Sequence, residues 1–426
     1  MAVMPSRPAA IYLALCAAVL ALTACEPREA QIKLGTWRAT LAVPAGELPF
    51  GLEFGREDNA LVAWLVNAGD RTRVDEITIA GDRLTMRMPG YDHRIEAQIA
   101  GNVLRGTLIQ ARPRGEEQRL PFVAQFGQTW RFFAKPAEAA TNISGRWAVT
   151  FGTGEKASPG VGEFVQKGNA VTGTILTPSG DHRYIEGEIR GNEIWLSKFD
   201  GGSASLYRAR VNAQGELEGS QAFGVIGGIP FVARRDAQAS LGDAESKTQM
   251  RSGTNALDIE FPDLAGTKVS LRDPRFTGKA IIVTLAGSWC PNCHDEAALL
   301  SALYRQHKAR GLEIVALMFE HYGDFPRAVA AVTRFGKRYD IDYTMLIAGT
   351  SDKDDAASRL PQLNGVFAFP TTIFIDRQGH VRKVHTGFSG PATGEHYRKL
   401  TEEFGALVEQ LISESADASK VRPSGT

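Results

Sequence analysis

The sequence predicts a multidomain chain of two unlike parts: a duplicated all-β antiparallel half, barrel or sandwich, and a C-terminal α/β domain. Two observations carry this. Over residues 35–235, apolar and polar residues alternate in short runs punctuated by Gly, Asn and Asp, as in half-buried strands. Over residues 257–411 the pattern changes. Continuous apolar runs such as Ala280–Ala286, suited to strands buried on both faces, now alternate with helical stretches.

The β half repeats itself. Gly35-Thr36-Trp37 matches Gly145-Arg146-Trp147, Glu53-Phe54 matches Glu163-Phe164, and Asn59-Ala60-Leu61 matches Asn169-Ala170-Val171. Ile79-Ala80-Gly81-Asp82 matches Ile189-Arg190-Gly191-Asn192, and Pro121-Phe122-Val123-Ala124 matches Pro230-Phe231-Val232-Ala233. The offset is 110 residues from Trp37 to Trp147 and 109 from Pro121 to Pro230. A near-constant offset means a duplicated module, with copies over residues 35–133 and 142–235. Each copy has room for about six to eight short strands. Trp37 and Trp147 read as core packing near a strand start. The opening Gly-x-Trp resembles the lipocalin start over three residues only. Alternation fits a filled barrel and a hollow one equally.

In the α/β part, Ala280–Ala286 reads as a strand and residues 291–310 as a helix with Leu299, Leu300, Leu303 and Tyr304 on its apolar face. Strand 312–319, helix 325–339, strand 343–347, paired strands 373–376 and 381–385, and a closing helix 395–412 follow. This β-α-β-α-β-β-α order is a thioredoxin-like α/β sandwich over residues 256–412. Residues 236–255 are polar and glycine-dotted and read as a linker. Residues 413–426 read as a disordered tail.

At the N-terminus, an apolar run over residues 11–22 follows Arg7 and contains Cys16. It is short for a membrane span and reads as the core of a signal peptide over residues 1–24. Leu22-Thr23-Ala24-Cys25 closes it and resembles the lipobox of bacterial lipoproteins. The resemblance implies that Cys25 becomes the lipidated first residue of the mature protein, with residues 25–34 as a tether. Ordinary cleavage nearby and an uncleaved anchor are the alternatives. Glu26 follows instead of the Asp that resembles an inner-membrane retention signal, which favours the outer membrane. With 48 basic and 48 acidic residues and no dense basic run, the chain is not built for nucleic acid. Membrane attachment would come from lipid chains alone.

Of four cysteines, Cys290 and Cys293 remain outside this leader, so they pair with each other or with a substrate. Trp289-Cys290-Pro291-Asn292-Cys293 sits between a strand and a helix, where the spacing reads as redox chemistry. Exported proteins occupy compartments where disulfides persist, and a chain of this size needs no staples, so a single C-x-x-C there is a working pair. A metal site would lack further ligands apart from His294. Pro291 suits the first helical position, placing Cys290 at the helix N-terminus, where free amides and the dipole favour a thiolate. Cys290 is therefore expected to be the exposed attacking nucleophile and Cys293, one turn inside, the buried resolving thiol. Trp289 is expected to shape the surface beside Cys290. His294 is either a charged group favouring a thiolate or an exposed first-turn residue. Glu320 and His321 end a strand near the site and receive no role. The polar segment 351–360 is expected to flank it.

Phe261-Pro262-Asp263-Leu264, Gly278-Lys279, the Gly287-to-Cys293 segment and Phe369-Pro370-Thr371-Thr372 together resemble the TlpA/ResA branch of thioredoxin-like proteins. The resemblance covers the last third and leaves the β half unassigned. It implies a cis Pro370 facing the dithiol, with Trp289, Pro291, Phe369, Pro370 and Thr371 meeting the substrate. It also implies a carboxylate six residues after the first cysteine, here Glu296, able to exchange a proton with Cys293; the alternative is an ordinary first-turn acid. The buried Asp of thioredoxins is replaced by Thr284. Pro-Asn between the cysteines differs from the Gly-Pro or Glu-Pro of common reductases, which leaves the direction of electron flow open.

The function expected is a lipid-anchored periplasmic thiol:disulfide oxidoreductase, a reductase rather than an oxidant, with no cofactor and no metal. Its partners would be disulfide-containing envelope proteins and a membrane electron donor of the DsbD/CcdA kind. Two alternatives stand beside it. A peroxiredoxin-like peroxidase would place Thr and Pro where Gly287 and Val283 stand. A non-enzymatic surface lipoprotein would bind a ligand through its β repeats and sense redox state at the dithiol.

Overall fold

The computed structural model describes residues 31–135, 137–242 and 246–415. Cys16, the lipobox with Cys25, and all of the predicted tail beyond residue 415 lie outside the described residues.

Alternating strands must bury one face, and each copy does so as one barrel-like antiparallel sheet. In the first, Gly35–Val43 pairs with Gly46–Glu57 on one side and Glu117–Phe126 on the other, at the centre of nine antiparallel strands. In the second, Gly145–Phe151 pairs with Ser158–Lys167 and Ile226–Arg235. Ser158–Lys167 pairs in turn with Ala170–Thr177, which closes the sheet into a ring. Each copy has nine strands, more than expected from the pattern. The surplus comes from pieces too short to show a period, such as Ile77–Ala80 and Gly180–Asp181.

The duplication is visible atom by atom. Trp37 faces Leu52 and Trp147 faces Gly162 across the first hairpin of each copy. Each indole N–H donates at 2.9 Å to the carbonyl four residues earlier, Lys33 and Ile143. Both indoles are buried, so the bond satisfies their one polar atom. The second barrel is filled: its apolar interior leaves about 20 Å³ between Ile143, Phe164, Ile175, Leu196 and Phe231, space for about one water. Phe199 of the second copy packs at a tilt against Phe50 of the first, ring centres 4.9 Å apart, joining the two cores.

The α/β domain is a five-stranded sheet in the order Thr344–Thr350, Leu312–Glu320, Ala280–Ala286, Thr371–Ile375, Val381–Thr386. The first three strands are parallel and the last two antiparallel. All seven residues of Ala280–Ala286 are buried, as its unbroken apolar run requires. Helices α1 (Pro291–His307), α2 (Phe325–Tyr339), α3 (Lys353–Arg359) and α4 (Glu395–Ser413) complete the domain. The polar segment 351–360 thus contains a helix, begun by Asp352, whose carboxylate accepts from the amides of Asp354 and Asp355. A short hairpin, Glu260–Pro262 with Lys268–Ser270, precedes the central strand.

The segment read as a linker is not loose over its described end. The Thr248 amide donates to the Thr386 hydroxyl, and Met250 bridges to Leu363. Thr248 is fully buried. Polar composition hid this, because the attachment is made by backbone groups rather than by an apolar face.

Candidate active site

The central strand delivers the chain through Gly287-Ser288-Trp289 to the start of α1. Cys290 caps that helix: its sulfur accepts from the Cys293 amide at 3.3 Å. The Cys290 thiol also donates a hydrogen bond to the Phe369 carbonyl at 3.4 Å. Phe369–Pro370 is a cis peptide bond, and Thr371 begins the neighbouring strand. The sheet therefore brings Cys290, Cys293, Trp289, Pro291 and the segment Phe369-Pro370-Thr371 to one edge. Both cysteines are free thiols.

The two thiols differ in depth. Cys293 is 1% exposed, and burial pushes its proton affinity well up, with Cys290 and Glu296 adding to the effect. Cys290 is 4% exposed, which corrects the expectation of an exposed nucleophile. The reason is tertiary. The turn between Ala170–Thr177 and Gly180–Asp181 of the second barrel is seated on the C-x-x-C turn. The Asn292 amide donates to the Asp181 carboxylate at 3.0 Å and to its carbonyl at 3.2 Å. Asp181 also accepts from the Gly390 amide at 2.7 Å. A methyl group at Gly180 would stand 2.4 Å from the Asn292 side-chain oxygen, so the approach requires glycine.

About one turn further along α1, Asp295 meets Arg183 of the same barrel at 2.9 Å. Arg183 also reaches Asp200, which Lys198 holds at 2.9 Å. Burial raises the Asp295 carboxyl to about 7 in spite of Arg183. Burial would raise Asp200 too, but Lys198 and Arg183 outweigh it and hold that carboxylate low. From the first barrel, Tyr91 stacks on His294 at 3.9 Å. Asp92 accepts from Tyr322 and, at 3.0 Å, from Arg334 of α2.

His294 is neither charged nor exposed, correcting both readings. Burial lowers it to about 3. Its Nε2–H donates to the Ser288 carbonyl at 2.7 Å and its Nδ1 accepts from Tyr339 at 2.8 Å. It fixes the loop that carries Trp289 and supplies no positive charge.

Glu296 is 1% exposed beneath the dithiol. The Thr284 hydroxyl donates to it at 2.6 Å, and Thr372 donates to its other oxygen. Burial pushes its carboxyl up to about 7 against the pull of these two bonds. Such a group exchanges protons near neutrality. Glu320, unassigned from sequence, accepts from the Ser288 amide at 2.8 Å and hydroxyl at 2.7 Å, and burial raises it to about 7. His321 stacks on Trp289 at 4.8 Å, while the Trp289 indole donates to the Phe319 carbonyl. Among the described residues no three His, Cys, Asp or Glu side chains converge to hold a metal ion.

With this geometry in view, the known relatives agree in kind. A profile of the AhpC/TSA family matches residues 252–384. The thiol-disulfide oxidoreductase ResA of Bacillus thuringiensis subsp. konkukian is 30% identical over 151 residues, 35% of this chain and 79% of that protein. ResA of Halalkalibacterium halodurans is 30% identical over 150 residues, 35% of this chain and 77% of its own length. The chain belongs to the ResA family of thiol-disulfide oxidoreductases. Solved structures with some likeness include a thioredoxin-family thiol:disulfide interchange protein from Chlorobium tepidum TLS. It is 21% identical, with a TM-score of 0.29, covering 39% of this chain and all of that one. A DsbF homologue from Corynebacterium diphtheriae is 19% identical with a TM-score of 0.30, covering 41% and 97%. The ResA-like region is the α/β domain alone. Three of the residues that sequence reasoning missed, Tyr91, Asp181 and Arg183, come from the β half outside that match. Nothing in their local pattern sets them apart from other polar strand residues.

Proposed function

We propose that this ResA-family chain is a lipid-anchored, periplasm-facing thiol:disulfide reductase that works by attack through Cys290 and resolution through Cys293. The observation that carries the assignment is the asymmetry of the pair. Cys290 caps the helix beside the Phe369 carbonyl, whereas Cys293 lies beneath it with its thiol stabilised by burial.

The Cys290 thiolate attacks one sulfur of a substrate disulfide. That S–S bond breaks, a mixed disulfide forms, and the first substrate thiolate departs. Cys293 then passes its proton towards Glu296 and attacks the Cys290 sulfur. The mixed disulfide breaks, the second substrate thiol leaves, and a Cys290–Cys293 disulfide remains. Two electrons have moved to the substrate. A membrane dithiol donor of the DsbD/CcdA kind would return them by the reverse exchange. Trp289, Pro291, Phe369, Pro370 and Thr371 form the rim that the substrate meets. Anchoring follows from Cys25, and Glu26 favours the outer membrane.

The test of direction is the reduction potential of the Cys290/Cys293 pair. A value near thioredoxin's, about −270 mV, is expected; one near about −120 mV would make the chain an oxidant. The AhpC/TSA match supports a second reading, peroxide reduction. Gly287 and Val283 stand where a peroxidase would use Thr and Pro, so hydrogen peroxide should be consumed far more slowly than a disulfide.

A further inference from the structure

Cys290 must be reached by a substrate disulfide, yet the second barrel sits on the turn between the two cysteines. Its grip is extensive. Asp181 holds Asn292 and Gly390, Arg183 holds Asp295, and Tyr91 of the first barrel covers His294. Gly387 of the α/β domain packs against the backbone of Pro178 and Ser179 on the same side. A protein offering a disulfide on its folded face would have to displace this turn and leave buried carboxylates and Arg183 unpaired.

Open space adjoins that turn, whose Thr177, Pro178, Ser179 and His182 line one side of it. Two cavities meet at Lys353, a residue within electrostatic reach of Cys290. One, of 390 Å³, lies between the second barrel and the α/β domain and is lined by Phe151, His182, Gln221, Lys353 and Phe367. The other, of 1310 Å³, runs between both barrels and the α/β domain past Arg112, Ile226, His321 and Lys353. It is larger than a usual small-molecule site, for which about 300–1,000 Å³ is typical. Only five large apolar residues are exposed among the described residues, and three of them, Val225, Ile226 and Phe367, line these two cavities. Apolar side chains brought together beside a reacting centre suit a partner that carries its own apolar side chains uncovered.

We propose that the β half is a specificity element, which admits disulfides carried on extended, unfolded polypeptide segments through the Ile226–Lys353 cleft and rejects those on folded proteins. The turn held by Asp181 and Arg183 supplies the rejection, and Val225, Ile226 and Phe367 supply the attraction. This rests on the reductase reading above and deepens it.

The experiment uses the full chain, reduced beforehand, and one polypeptide with a single disulfide in two forms. One form is native; the other is a destabilised variant that is unfolded with its disulfide intact. Rates for both are divided by the rate of the same preparation with a small aromatic disulfide. Wild type should favour the unfolded form by about tenfold or more in kcat/KM, a difference of about 1.4 kcal/mol. In the double variant Asp181→Ala/Arg183→Ala that ratio should shrink severalfold because the native form now reacts. Ile226→Asp should shrink it from the other side, by raising KM for the unfolded form. Equal rates for the two forms with wild type would overturn the proposal, as would an unchanged ratio in Ile226→Asp. Ile226 is half exposed at the start of strand Ile226–Arg235, so this variant keeps the test decisive if the double variant does not fold. Failure of wild type to reduce even the small disulfide would instead sink the reductase reading.

Discussion

The Thr284 hydroxyl donates a 2.6 Å hydrogen bond to Glu296. Thr284 stands on the central strand where thioredoxins carry a buried acid, and Glu296 brings its carboxylate to it from α1. The acid is thus supplied by the helix and the strand contributes a donor. Proton exchange with Cys293 remains a proposal, and the raised affinity of Glu296 gives it a sign. If the carboxylate takes the Cys293 proton, Glu296→Gln should slow resolution about 10- to 100-fold at neutral pH while attack by Cys290 changes little. Wild-type resolution should rise with pH through about 7, and this step should vanish in the variant. Stopped-flow reduction of a model disulfide, with attack and resolution separated, reads both. Identical resolution profiles would make Glu296 only a buried structural acid.

The same group makes a stability prediction. Its ordinary value is 4.5 and its folded value about 7, so folding favours the neutral form. That contribution is fully present below about pH 4.5 and is lost as pH rises through about 7. The stability of wild type relative to Glu296→Gln should therefore fall by about 1–3 kcal/mol from about pH 4 to pH 8. Denaturant melts of both proteins across that range provide the check. A difference independent of pH would contradict the raised affinity.

Cys293→Ala should accumulate mixed disulfides through Cys290, because attack remains possible and resolution does not. Cys290→Ala should trap few, since Cys293 is 1% exposed and burial keeps its thiol protonated. Non-reducing gels with alkylation at harvest separate the two. Trapping chiefly in Cys290→Ala would reverse the assignment of attacker and resolver.

The dithiol, the Phe369-Pro370-Thr371 segment and the sheet-and-helix order were all legible because each is written in a local pattern. Pro291 after Cys290 and the unbroken run Ala280–Ala286 need no knowledge of distant residues. The duplication was legible for a similar reason, and the matching Trp37 and Trp147 hydrogen bonds are its atomic trace. The burial of Cys290 and the neutrality of His294 were not. They depend on Asp181, Arg183 and Tyr91, which lie 111, 112 and 203 residues from Asn292, Asp295 and His294. Their contacts arise only when two barrels and a sheet are packed together. Glu320 was missed for a nearer cause. Its partner Ser288 is 32 residues away, and a carboxylate ending an apolar strand looks like a solvent-facing stop.

The proposed lipidation at Cys25 predicts that Cys25→Ser releases the protein from membranes into the soluble envelope fraction. Thiol-disulfide exchange activity should follow the protein into solution. Fractionation with mild washing, followed by assay of each fraction, tests it. Equal membrane retention in the variant would remove the lipid anchor.

Glu320 holds the loop that carries Trp289, through the Ser288 amide and hydroxyl. Glu320→Ala leaves both Ser288 groups without their acceptor in a buried place, which costs about 1–3 kcal/mol. Glu320→Gln keeps one acceptor oxygen and should cost less. The two variants should also separate in function. Trp289 is fixed at one end by its bond to Phe319 and along its face by His321, so a slackened Ser288 frees it from both. Reduction of a small disulfide by Glu320→Ala should fall severalfold, with partial recovery in Glu320→Gln. If Glu320→Ala melts and reacts like wild type, the carboxylate does not hold the loop. If both variants lose activity equally while only Glu320→Ala loses stability, the charge or proton on Glu320 matters beyond its hydrogen bonds. A pH profile of Glu320→Gln lacking a wild-type step near 7 would then identify it.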